Sequence, residues 1–245
     1  MLQSLYAASS GMEATQNQFN AISNDMANID TPGYQATRMG FEDLLYTSGG
    51  GSSGSPNIAT GSGAASTIVG RSDTEGAIQS TGRSLDVAIQ GPGYLQVRRD
   101  DGSVGLTRNG ALQLNAQGEI TNQEGNPLVP TLKLPKGTDA SSIKVETNGQ
   151  VIDGTRTLGK IALVTVPAPD QLQADGGSMF SVTAGSGATR PAAGSTLQQG
   201  ALEGSNVDIA QDMSTMISAE RSYDMASKAV QYQDQMLQIA NQIKQ

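Results

Sequence analysis

Ile209, Met216, Tyr223, Val230 and Leu237 recur every seven residues along the stretch 207–245. Ala219, Ala226 and Ala240 follow three of them by three positions, and Gln233 fills the fourth such place. A 3–4 alternation of this kind lays one narrow apolar stripe on a continuous helix, the seam of a coiled coil rather than the wide face of a globular helix. Fully helical, the stretch spans about 55 Å at ~1.5 Å per residue. A helix so long and so narrowly apolar requires another helix against it.

The other end of the chain carries the same signal. Leu5, Ala8, Met12, Thr15, Phe19, Ile22, Met26 and Ile29 alternate by three and four, which predicts a second seamed helix of about 42 Å. Thr31-Pro32-Gly33 stops it, because the residue before proline is pushed out of the α region and glycine permits a sharp turn. The two seams are expected to pair with each other or with those of neighbouring subunits; the alternative is that each packs on its own globular domain. Asn17, Asn20, Asn24, Asp25 and Asn28 make the first helix a poor one in isolation, since such side chains compete for backbone hydrogen bonds.

Between the ends, Ser48 to Ser55 are all Gly or Ser and no charge occurs from Leu44 to Gly70, the composition of a linker or long loop. Gly49, Gly51 and Gly54 match a dinucleotide-loop spacing only formally, with no strand before or helix after. From Arg71 to Val166 the signals are β. Leu85 to Ile89 alternates, Asp101-Gly102 predicts a hairpin into Val104 to Thr107, Asn109-Gly110 another turn, and Asn148-Gly149 a hairpin between Ile143 to Glu146 and Gln150 to Ile152. Short strands with closely spaced turn residues indicate an antiparallel sandwich or barrel-like domain. Ser205 or Asn206 is placed to cap the last helix, with Asp208 in its first turn. The expected class is α+β: terminal helices at 1–33 and 205–245 forming a coiled-coil layer, an extended Gly/Ser-rich linker at 34–70, and an inserted antiparallel β-rich domain at 71–204.

Composition narrows the chemistry. Fifteen Lys plus Arg against 23 Asp plus Glu give a net charge of −8 with no basic patch, which argues against nucleic-acid binding. With no Cys and no His, disulfides, thiolate metal sites and imidazole catalysis are absent. Asp100-Asp101, an adjacent carboxylate pair, sits in a hairpin turn, where Asp is favoured for its backbone bonding. No catalytic, cofactor or metal residue is assigned. A carboxylate-based enzyme and a β-rich adhesin or phage-tail-like protein remain as readings of other classes. No stretch reads as membrane-spanning, and residues 1–12 lack the marks of a cleaved secretory signal, so the default location is cytoplasmic.

The run Ala21 to Tyr34 resembles the N-terminal signature of bacterial flagellar rod and hook proteins. Leu202 to Asp208, with Met216-Ile217 and the stretch Arg221 to Leu237, is similar to the C-terminal helix of that family. Leu85 to Gly91 and Thr107 to Gly110 are similar to its central β motifs. Within the family, Phe41 to Tyr46 and the C-terminal run resemble the distal-rod branch most, with a proximal rod or hook-like subunit as the alternative. Asp25-Met26 and the Gly/Ser run depart from the usual pattern.

The resemblance implies a structural subunit that self-assembles into a helical homo-oligomeric tube, transmits torque from motor to hook and needs no cofactor. It implies contact with other rod and hook subunits, with surrounding ring proteins and with the flagellar type III export apparatus, without nucleic acid or membrane insertion. It moves the expected location to the periplasmic rod of the basal body, reached without a cleaved signal peptide. The expected assembly interface comprises Leu5, Met12, Phe19, Ile22, Met26, Ile29, Ile209, Met216, Tyr223, Val230 and Leu237.

Overall fold

A computed structural model describes residues 2–44, 46–48, 59–61, 63–135 and 140–243. Most of the Gly/Ser run, and with it Gly49, Gly51 and Gly54, lies outside the described residues. The chain forms two compact units: Met1–Met26, Thr37–Val69 and Asp208–Gln245 make the first, and Ala27–Ala36 with Gly70–Val207 the second.

The first unit contains both long helices, α1 (Leu2–Ala27) and α2 (Ile209–Ile243). Helix α1 ends before Thr31-Pro32-Gly33; a turn closes at once, with Thr31 N donating to the Asn28 carbonyl at 3.1 Å, so Ile29 lies past the helix. The cap of α2 differs from the sequence expectation. Asp208 Oδ1 accepts from Ala210 N at 2.9 Å and Gln211 N at 3.2 Å, which makes Asp208 the N-cap. Asn206 is unavailable for that role because its side chain bonds Ala36, Ser72 and Thr74 instead.

Around the Gly/Ser run, Thr37–Asp43 pairs with Ala64–Arg71, and Tyr46–Ser48 with Ala59–Gly61. This ribbon runs along α1. Asp25, buried in the last turn of α1, accepts from Thr37 N and Oγ1 at 3.0 Å each, and Asn17 Nδ2 donates to Ser66 Oγ at 3.3 Å. A Cβ at Gly63 would overlap Ser10 of the helix, so glycine there permits the approach.

The second unit holds the inserted β domain, and every strand pairing described in it is antiparallel. Its largest sheet has six strands in the order Gln173–Gly176, Met179–Ser181, Val104–Thr107, Tyr94–Arg98, Leu163–Thr165, Arg190–Pro191. Both faces of this sheet are covered. Leu95 and Val97 point into one core with Val87, Ile89, Leu112, Ile120, Leu128, Val151 and Leu197. Tyr94 and Leu106 point into a second with Val164, Val166, Leu172 and Phe180, where the Tyr94 and Phe180 rings meet edge to face at 6.0 Å.

The Asp101-Gly102 hairpin forms as expected, with Gly102 at φ 84° and Asp101 Oδ1 accepting Ser103 N at 2.8 Å. So does the Asn148-Gly149 hairpin, with Val145 opposite Val151. Asn109-Gly110 serves another purpose: a Cβ at Gly110 would overlap the Val87 carbonyl, so glycine lets two backbones pass in the core, joined by Val87 N to the Gly110 carbonyl at 3.0 Å.

Candidate assembly surface

The helices α1 and α2 run antiparallel within the first unit. Thr15, Gln16 and Phe19 share a cleft of about 160 Å³ with Glu220 and Tyr223, while Asp25 near the end of α1 acts electrostatically on Asp212 near the start of α2. Ala14, Ile22 and Ala219 are buried, and two of these are small enough to let helix backbones come close. At 26 and 35 residues the helices are about 39 and 52 Å long, so α2 is the longer by more than two turns.

The expected interface residues fall into distinct environments. Ile22 is buried. Leu5, Met12, Met26, Met216 and Val230 are half-buried, and Phe19, Ile209, Tyr223 and Leu237 remain exposed. Ile29 is half-buried but belongs to the second unit. The seam is therefore used partly inside the subunit and partly left open. A second apolar row on α2 escaped the sequence reading. Met225, Tyr232, Met236 and Ile239 are each more than half exposed, at 65, 62, 60 and 56%. They follow one another by seven, four and three residues, with Ala229 filling the gap. That spacing was visible in the sequence; the stronger heptad of Ile209 to Leu237 masked it.

The electrostatics of the pair centre on Asp212. Burial, then the Asp25 and Asp208 carboxylates, raise its pKa above the ordinary aspartate value, and its Oδ2 is enclosed with no hydrogen-bond partner. Elsewhere the carboxylates satisfy local structure. Hydrogen bonds from Ser103 hold Asp101 below its usual range, and Lys133 and Asn115 do the same for Glu119. Among the described residues no group of three or more Asp, Glu, His or Cys is placed to hold a metal ion, and no helix is long and apolar enough to cross a membrane.

A helix pair with unspent apolar rows, carrying an inserted antiparallel β domain, is the organisation of a structural assembly subunit, and sequence comparison agrees. Residues 5–35 match the family described as flagella basal body rod protein, residues 88–152 the D1 domain of the flagellar hook proteins FlgE/F/G, and residues 198–243 the C-terminal region of the flagellar basal body rod proteins FlgEFG. The chain belongs to the flagellar hook and basal-body rod protein family, whose members are structural proteins and not enzymes.

Over its whole length it is similar to particular members. It is 35% identical to the flagellar basal-body rod protein FlgG of Borreliella burgdorferi, over 100% of this chain and 99% of that protein. It is 35% identical to FlgG of Caulobacter vibrioides, over 99% of this chain and 100% of that protein. With the flagellar hook-basal body complex protein FlhP of Bacillus subtilis the identity is 31%, over 100% of both chains.

Proposed function

We propose that the chain is a subunit of the distal flagellar rod, self-assembling into a helical tube that transmits torque from motor to hook. The observation that carries this reading is the apolar surface the helix pair leaves uncovered, in a chain similar to FlgG from end to end. Exposed apolar rows rarely stay in water on a finished structure, and a heterologous contact that does not close propagates a filament. In the assembled wall, Leu5, Met12, Ile22, Met26, Met216 and Val230 hold α1 against α2. Phe19, Ile209, Tyr223 and Leu237, with the outer row Met225, Tyr232, Met236 and Ile239, meet helices of neighbouring subunits. Ile29 sets the exit of α1.

The working location is the periplasmic rod of the basal body, reached by export of the unfolded chain through the flagellar type III apparatus without a cleaved signal peptide. The partners are copies of the same chain, other rod and hook subunits at the two ends of the tube, and the ring proteins around it.

The test is complementation in a strain lacking its own distal-rod subunit. Production of this chain is expected to restore rods and motility, and Leu237→Asp is expected to abolish incorporation while the second unit keeps its melting temperature. Rescue by the Leu237→Asp chain would overturn the assignment of that residue. Failure of the unaltered chain here, with rescue of a strain lacking a different rod subunit, would move the chain along the rod.

A further inference from the structure

The second unit contains a buried ion pair that neither hydrophobic core requires. Arg108 and Glu203, 95 residues apart in the chain, are 2 and 3% exposed. Arg108 Nε donates to both Glu203 oxygens, at 3.0 and 2.8 Å. Its Nη1 donates to the Gly91 and Gly93 carbonyls at 3.3 and 3.1 Å, and its guanidinium lies 5.9 Å from the Tyr94 ring centroid. Its Nη2 has no acceptor. Burying two charges carries a desolvation penalty, and such a pair is commonly no more stabilising than apolar side chains of the same volume. A role in fixing a particular arrangement accounts for the pair better than stability does.

That arrangement is visible in what else Glu203 holds. Its Oε1 accepts from Gly76 N at 3.1 Å, and its backbone carbonyl accepts from Gly33 N at 2.9 Å. Three residues on, Asn206 Oδ1 accepts from Ala36 N at 2.7 Å, and Nδ2 donates to the Ser72 and Thr74 carbonyls at 3.1 and 2.9 Å. Ser72 N donates to the Ala36 carbonyl at 2.8 Å, and Arg71 Nη1 to the Gln35 carbonyl at 2.9 Å. Gly33 permits the crossing, since a Cβ there would lie 2.6 Å from the Arg108 carbonyl carbon. The chain passes the boundary of this unit beside Ala27, Ala36, Gly70 and Val207. The segments just inside the last three of those points are therefore bonded to one another by the side chains of Glu203, Asn206 and Arg71 together with backbone hydrogen bonds.

We infer that Glu203 is a positioning residue for the roots of both terminal helices. It holds the segment that leaves α1 and the segment that leads into α2 in one register, with Arg108 locking its carboxylate and Asn206 completing the tie. Force reaching either root is shared with the other at this point before it spreads into the β sheets. The geometry stands on its own; its mechanical meaning rests on the rod reading.

The test is site-resolved hydrogen exchange on the full chain carrying Glu203→Gln, with Leu95→Ala as a core variant for comparison. Glu203→Gln is expected to speed exchange of the Gly33, Ala36, Gly76 and Asn206 amides by about tenfold, while Val97 and Leu106 change by less than about twofold. Leu95→Ala is expected to loosen these two groups together. Unchanged root amides in Glu203→Gln, or loosening spread evenly over the unit, would overturn the inference. This arm is independent of the rod reading. In the complementation strain, Glu203→Gln is expected to lower rod yield further than Leu95→Ala, and the reverse order would contradict the mechanical role alone.

Discussion

Replacing Ile22 by Ala probes the packing of α1 at its most enclosed large side chain, 6% exposed. The substitution removes three carbons from an apolar site, about 2.5 kcal/mol at ~0.8 kcal/mol per buried methylene. The cavity left behind adds to this, and the better helix propensity of Ala returns about 0.4 kcal/mol. The net loss is about 2–4 kcal/mol, confined first to the helices because Ile22 belongs to the first unit. Hydrogen exchange of the full monomer reads it directly. Amides around Phe19 and Ser23 should exchange at least about thirtyfold faster, the equivalent of ~2 kcal/mol. Tyr6→Ala, at a side chain 62% exposed, should change them by less than about 0.5 kcal/mol. Equal effects from the two variants would refute the claim that the free subunit already pairs α1 with α2.

Two further substitutions test separate parts of the structure. Asp212 has a folded pKa raised above its unfolded value, so its ionised form opposes folding. The destabilisation is absent below the ordinary aspartate pKa, grows as pH rises toward the folded pKa, and is constant above it. Asp212→Asn should therefore melt higher than the unaltered chain at pH 7, with the gain vanishing in acid; a variant that melts lower at pH 7 would show that the α2 dipole outweighs the burial and the Asp25 and Asp208 charges. Gly110→Ala forces a methyl into the Val87 carbonyl in the centre of the β domain, and thermal denaturation should show a loss of about 3 kcal/mol or more, with a near-neutral result contradicting the close backbone passage.

The sequence displayed the helices because their seams repeat locally: each of Leu5, Met12, Phe19 and Met26, or Met216, Tyr223, Val230 and Leu237, is about two turns from the next. The Asp101-Gly102 and Asn148-Gly149 hairpins were legible because a two-residue turn needs φ values that few residue types adopt. What was not legible depends on long-range contact. Nothing near Glu203 names Arg108 as its partner. Asn206 reads as a helix cap until Ala36, Ser72 and Thr74 claim its side chain, and Asn109-Gly110 reads as a turn until Val87 is seen to cross it. The ribbon along α1 was missed because Thr37–Asp43 and Ala64–Arg71 flank a Gly/Ser run that carries no β signal of its own. The candidate interface was legible as a seam but not as two populations, because heptad spacing alone does not say which side chains a subunit covers for itself.

The central claim is that the uncovered face of α2 meets another copy of this chain. Tyr232, 62% exposed on the outer row, is the place to measure it. With benzoylphenylalanine at position 232, irradiation of purified basal bodies should yield covalent multimers containing only this chain, and irradiation of dilute monomer should yield none. Intact rods in which the irradiated chain stays monomeric, or joins only a different protein, would contradict the account.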